Sequence, residues 1–448
     1  MPSLPLGHTL RLGTLVLVVG SLLACGGGGG DETALARASA AVEHPPAGRA
    51  NTLAGTGLPA GRLQLVSTTP SGQAATASSA TCGLSANGRL VLFFSDAANL
   101  VAGDTNGRTD VFLKNLDTGA VQRVTTQSSG AQIAAGGSCQ GTTMTPDARL
   151  VALHSGGALF VKNTQTGQLV QASPAAGTVP QVDGFIGGVL SDDGRSVVFM
   201  TQPQQVYVGA YTWVNLVPAR LMLRDLATGS LQTLATDNGV VADGQVIGSR
   251  FALSPDGTRV AFVSSSSSLV PGDHNGRPDV FVRDLIDGRT TLVSSTSEGG
   301  PSTAAQYWNP NFVSDSQVAF GTGGTSSLGV QGLYLKDLDS GALTLVLGAA
   351  EGGSSAVLSG DARRVVFQRA YNGVDSRVFL RDRVSGEEAL VSASANGTAN
   401  NNSATGAAIS RDGSTVIFGS NARNLVSPRP PAGVFQVYAK TIGPAGSN

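Results

Sequence analysis

The sequence predicts an all-β fold: a seven-bladed β-propeller of four-stranded antiparallel blades, closed by pairing of an N-terminal strand with the last blade. Three observations carry that expectation. Glycine is abundant (60 of 448 residues), while charged residues make up 13% and aromatics 5%; this composition suits short strands and tight turns and does not suit long helices. A set of strands and turns recurs seven times along the chain, which is the signature of a repeat architecture. One strand of each repeat is apolar at successive positions, so it must be covered on both faces. A sandwich strand usually keeps one face wet, whereas a blade lies between two other blades.

The first repeated element is a Ser-x-Asp-Gly turn followed by a short apolar strand, as in Ser254-Pro255-Asp256-Gly257 and then Arg259-Val260-Ala261-Phe262. Related copies begin at Ser85, Thr145, Ser191, Ser314, Ser359 and Ser410, and their strands end in Phe93, Leu153, Phe199, Phe320, Phe367 and Phe418. The Ser314 copy is shortened and lacks the glycine. Asp-Gly is a strong hairpin signal, because glycine accepts positive φ without Cβ strain.

The second element is a strand with a large apolar residue two places before a basic one. The pairs are Phe112/Lys114, Phe160/Lys162, Met222/Arg224, Phe281/Arg283, Tyr334/Lys336, Phe379/Arg381 and Tyr438/Lys440. The third is a turn such as Asp225-Leu226-Ala227-Thr228-Gly229, recurring with Gly119, Gly167, Gly288, Gly341 and Gly386. Its Asp or Asn can bond its own backbone while the glycine takes the left-handed position. A fourth strand follows, as in Leu292-Val293-Ser294 and Leu390-Val391-Ser392. The seventh repeat lacks it, but Leu65-Val66-Ser67 near the start reads as the missing strand. Ring closure through that segment would remove sheet edges that invite aggregation.

These motifs resemble the PD40 repeats of TolB-like propellers, over about Gly61 to Ile442. The resemblance implies a six- or seven-bladed ring with a central channel, usually outside the cytoplasm. TolB itself serves envelope integrity, docks a partner lipoprotein and carries a further N-terminal α/β domain. Residues before Gly61 read otherwise, so the fold is carried over without TolB's partner.

Residues 1–25 read as a secretory signal: Arg11 supplies the positive charge and Leu12–Leu23 an apolar run too short to span a bilayer comfortably. Leu22-Leu23-Ala24-Cys25 resembles the bacterial lipobox. That resemblance implies cleavage before Cys25, acylation of its sulfur and a stable membrane anchor. Gly26 after the cysteine favours, by the same analogy, the outer membrane; ordinary secretion is the alternative. Residues 26–60, Gly/Ala/Pro-containing and without periodicity, read as a flexible tether of roughly 30–35 Å root-mean-square length. The propeller is expected over 61–443.

Repeat spacing is uneven, so added length sits in loops, which often mark the working face. The longest insert lies between Gln202 and Arg220 and carries Tyr207, Tyr211 and Trp213; another aromatic segment is Tyr307-Trp308-Asn309-Pro310. These five aromatics are the candidate binding-rim residues.

Two inserts share an Asp-x-Asn-x-x-x-Asp spacing: Asp104, Asn106 and Asp110, then Asp273, Asn275 and Asp279. The spacing matches the first half of a calcium loop, which needs six to eight oxygen ligands. Arg108 or Arg277 occupies the fifth position and no bidentate Glu follows. The competing reading is an Asx-stabilised turn with an internal Arg–Asp pair. Apart from calcium, no cofactor is expected. The four histidines, His8, His44, His154 and His274, have no metal-ligand spacing. Cys82 and Cys139 precede the first and second repeat turns; an inter-blade disulfide and two buried thiols both fit.

No Gly-x-Ser-x-Gly elbow or hydrolase domain is evident, and nearly every Asp sits in a repeat turn. A formal net charge of −1 without a basic block argues against nucleic-acid binding. The expectation is a monomeric, envelope-tethered, non-enzymatic propeller that binds a protein or polymer through rim loops or the channel mouth. The alternative is an extracytoplasmic carbohydrate-binding protein or enzyme whose carboxylates converge in the channel.

Overall fold

A computed structural model describes residues 61–442, except residues 140, 175–184, 202–203, 208–212, 218–219, 235, 238–239, 242–245, 296–305, 324–327, 354–355 and 372–374. Cys25, the signal segment, the tether and Tyr211 lie outside the described residues. The described chain forms seven antiparallel blades. From the innermost strand outward, blade 1 is Ser79–Leu84, Leu90–Ser95, Asp110–Asn115 and Val121–Arg123. Blade 4 is Val246–Leu253, Arg259–Ser264, Asp279–Asp284 and Thr290–Leu292, and blade 5 begins at Gln306–Ser314. Blades 3 and 6 repeat the order. Blade 2 has three full strands, and its innermost segment is held by single bridges at Ser138–His154 and Met144–Val151.

Blade 7 closes the ring. Its strands Ala404–Ile409, Thr415–Ser420 and Gln436–Thr441 receive Leu63–Leu65 as the outermost strand. Leu63 lies opposite Lys440 and Leu65 opposite Tyr438. Val66 N donates to Val437 O at 2.8 Å, and the Ser67 hydroxyl donates to Gln436 Oε1 at 2.6 Å.

The register of the two middle strands explains the aromatic motif. Phe93 faces Phe112, Phe262 faces Phe281, Phe320 faces Tyr334, Phe367 faces Phe379 and Phe418 faces Tyr438. These rings stack with centroids 5.4–6.0 Å apart, within the range where aromatic pairs contribute beyond simple burial. Phe199–Met222 and Leu153–Phe160 hold the same places in blades 3 and 2. The alternate positions are equally dry: Val280, Val378 and Val437 have no exposed surface.

The fourth strands end about two residues earlier than the sequence suggests, at Leu292 and Leu390. Val293 stays buried, and the following hydroxyl serves a different purpose. Ser67, Thr125, Ser173, Ser294 and Ser392 each accept the amide of the adjoining third strand, at 3.0–3.3 Å. The basic residue of the second motif is also structural in blades 1 and 2. Lys114 Nζ donates to Thr68 Oγ1 at 2.9 Å and Gly119 O at 2.8 Å. Lys162 Nζ donates to Thr126 O at 2.7 Å and Gly167 O at 2.6 Å. Each ammonium thus ties one blade to the connection arriving from the blade before it. Burial pushes the Lys114 ammonium down to about 8.

Candidate functional site: the loop face and the channel

Antiparallel pairing places the connections on two faces. The Ser-x-Asp-Gly turns and the Asp/Asn-initiated turns share one end. The long inserts between second and third strands, and the exits toward the next blade, share the other.

Turns of several neighbouring blades are bonded to one another at the same end of the channel. Ala86 N donates to Pro146 O at 2.8 Å, Asp412 N to Ala86 O at 3.1 Å, and Gly360 N to Arg411 O at 2.8 Å. Asp256 N donates to Asp315 Oδ1 at 2.9 Å. Arg411 of blade 7 also bonds Asp192 of blade 3. Those blades are not neighbours, so the pair crosses the channel. Burial raises the Asp192 carboxyl above its usual range, against the lowering pull of Arg411.

In five of the turns the Ser or Thr hydroxyl donates to the Asp two places on, as in Thr145–Asp147, Ser191–Asp193 and Ser254–Asp256 at 2.6–2.7 Å, and in the first Ser85 donates to Asn87. Partial burial works against the Asp256 charge, but the Ser254 hydroxyl and the Thr258 amide and hydroxyl hold it below the usual carboxylate range. These carboxylates are consumed by the turns.

The described innermost strands carry no Asp, Glu or His, and Arg250 is their only charged residue. Among the described residues, no group of three or more His, Cys, Asp or Glu gathers as a metal site. His154, next to last in the second strand of blade 2, is half-buried; burial depresses its pKa against an opposing bond with Gly187.

Tyr207 and Trp213 face each other in a two-stranded hairpin, Gln204–Tyr207 with Trp213–Val217. The hairpin lies between the second and third strands of blade 3. Tyr307 and Trp308 are not on a rim loop. They belong to the innermost strand of blade 5, opposite Thr322 and Gly321, because the Asn309-Pro310 step makes a bulge inside the strand instead of a turn.

The two acidic loops also sit on the loop face. Asn106 Oδ1 accepts Arg108 N at 2.9 Å and Asn275 Oδ1 accepts Arg277 N at 2.7 Å, the Asx turn in both cases. The arginine side chains are exposed. The Arg–Asp pair seen here is between Asp104 and Arg123, 3.8 Å apart, not Arg108. Gln132 Nε2 donates to Asp104 Oδ1 at 2.9 Å and Asp110 Oδ2 at 3.0 Å. Neither partner has a local sequence signal, because both come from a different strand or connection.

Cys82 and Cys139 are bonded, with Cα atoms 5.8 Å apart. A groove of about 1560 Å³ runs along the outer side of blades 7 and 1. Its lining includes Arg62, Lys114, Arg423 and Arg429 against Asp117, so it is cationic. The sequence offers no single motif for it, since its wall joins the two ends of the chain.

No family model and no curated protein matches this chain. Solved structures share its fold. An oligogalacturonate lyase in complex with manganese is 15% identical, with TM-score 0.54 over 86% of this chain and 98% of its own. The oligogalacturonate lyase of Vibrio parahaemolyticus is 12% identical, with TM-score 0.55 over 86% and 91%. TolB from Acinetobacter baumannii aligns more loosely, at 12% identity and TM-score 0.38 over 80% and 82%. Together with the blade count, the two oligogalacturonate lyase likenesses define the class: a seven-bladed β-propeller. At such identities they show the fold alone.

Proposed function

We propose that this chain is an envelope-tethered, non-enzymatic propeller that holds a protein or polymer partner on its loop face. The observation that carries the reading is the asymmetry of the ring. Bonded turns and the channel-spanning Asp192–Arg411 pair occupy one channel end, while the long inserts gather at the other. The described innermost strands offer no carboxylate or histidine for paired acid–base chemistry. The signal-like segment and Cys25 support the envelope location and the lipid anchor. The cationic groove suits an anionic polymer better than a neutral one, because its exposed Arg side chains can pair bidentately with carboxylate or phosphate groups.

Cross-linking capture from envelope extracts tests the proposal with two charge reversals on each face. Arg108→Glu with Arg277→Glu on the loop face should abolish specific capture. Asp287→Lys with Asp339→Lys on the turn face should leave it intact. Loss only with the turn-face pair would overturn the reading, as would turnover of an oligosaccharide by the purified chain.

A further inference from the structure

The outermost strand of blade 7, Leu63–Leu65, runs along the cationic groove. Thr441 N donates to Arg62 O at 3.0 Å and Val66 N donates to Val437 O at 2.8 Å, with Gln64 opposite Ala439 between them. Antiparallel pairing therefore turns the N–H and C=O groups of Gln64 toward the sheet and those of Leu63 and Leu65 away from it. Neither Leu63 nor Leu65 makes a backbone bond on that outer side among the described residues. An edge of this kind is a template for one more extended strand.

Three exposed arginines line the same groove. Arg62 immediately precedes the strand, and Arg423 and Arg429 come from the insert between the second and third strands of blade 7. None of the three makes an ion pair among the described residues. Arg423 Nε donates to Pro430 O at 3.2 Å, which leaves the terminal nitrogens of its guanidinium for a ligand. The other charges of the groove are already engaged. The Lys114 ammonium is bonded to Thr68 and Gly119, and Asp117 pairs with Arg89 at 3.5 Å. The unpaired charge beside the open edge is thus wholly positive, and guanidinium forks match carboxylates.

We propose that the outer edge of blade 7 takes up an acidic, extended segment of a partner protein as an added strand. Its backbone pairs with Leu63 and Leu65, and its carboxylates pair with Arg62, Arg423 and Arg429. The two halves of the argument are independent. Charge alone would admit any polyanion. The outward N–H and C=O groups favour a ligand that returns both a donor and an acceptor from its own backbone, which a polyuronate does not. So short an edge offers only a few ladder bonds, so the affinity relies on the arginines and falls with added salt. The inference rests on the reading of this chain as a binding propeller and names a surface that runs down the outer side of the ring.

The test is fluorescence anisotropy of a labelled octapeptide of alternating Glu and Val, titrated with the full chain at low salt. Binding should be saturable and should weaken about tenfold in Arg62→Glu with Arg429→Glu. The same peptide N-methylated at every residue keeps its carboxylates and loses its amide donors, and it should bind at least about tenfold more weakly. Arg108→Glu with Arg277→Glu should leave peptide binding unchanged, so failure here and failure of the loop-face reading are told apart. No saturable binding, equal binding of the N-methylated peptide, equal binding of an oligogalacturonate, or parental affinity in the Arg62→Glu, Arg429→Glu chain would each overturn the proposal. Binding that appears only when the chain is expressed from Gly61 would assign the groove to the residues before it and would overturn the proposal as well.

Discussion

The Cys82–Cys139 bond joins the innermost strand of blade 1 to the innermost segment of blade 2, where few ladder bonds hold the chain. It closes a loop of 57 residues. In the chain-entropy treatment a loop of that length is stabilised by about 4 kcal/mol. The described propeller spans residues 61–442, for which an unfolding entropy of about 2.1 cal/mol/K per residue turns 4 kcal/mol into about 5 °C. Cys139 is 1% exposed and packs with Leu153, Val111 and Val124, so reduction should cost less than Cys82→Ala with Cys139→Ala, which also removes buried sulfur. The assay is calorimetry of the chain expressed from Gly26, with and without reductant, followed by alkylation in denaturant and mass measurement. The unreduced chain should take up no alkyl group and should melt about 5 °C above the reduced one. Two added alkyl groups, with melting indifferent to reductant, would refute the reasoning.

Three further outcomes follow from the blade design. Phe262→Ala removes a fully buried ring stacked on Phe281 and should cost about 3–5 kcal/mol in denaturant unfolding; a loss below about 1 kcal/mol would mean that the stack is not the blade's core. Ser392→Ala should cost about 1–3 kcal/mol, because its buried hydroxyl accepts Val378 N and donates to Asn400 Oδ1. The turn carboxylates Asp147, Asp193 and Asp256 are held below their usual range in the fold. Their contribution is present above the unfolded value of about 4 and is lost as pH falls through the lower folded values. The melting temperature should therefore decline on acidification from pH 5, and Asp256→Asn should make that decline shallower; an unchanged slope would contradict the assignment.

Much of this fold is legible in the sequence because its signals are local. Asp256-Gly257 makes its own turn, and Gly257 adopts the positive φ of 72° that the turn needs. Phe281 and Arg283 mark a strand whose alternate residues are also apolar. The closing strand is readable because Leu65-Val66-Ser67 repeats the ending of the other blades. The site is less legible because its partners are distant in sequence. Nothing near Asp104 announces Arg123 or Gln132, and nothing near Asp192 announces Arg411. The lysine motif is visible as a pattern, yet its purpose depends on carbonyls of the preceding connection, Thr68 and Thr126. Tyr307 and Trp308 mislead for a related reason: Asn-Pro is a common loop signal, and here a bulge absorbs it within a strand.

Velcro-like closure by the N-terminal strand is the most exposed claim. Deleting Gly61–Thr68 removes the buried Val66 and Ser67 and strands the buried Gln436 Oε1, at a cost of at least about 4 kcal/mol. The direct measurement compares this deletion with a circular permutant that carries residues 61–68 after Ile442 and begins at Thr69. The deletion should melt at least about 5 °C lower and the permutant should regain the parental value. A deleted chain that melts like the parent would mean that no such strand completes the seventh sheet.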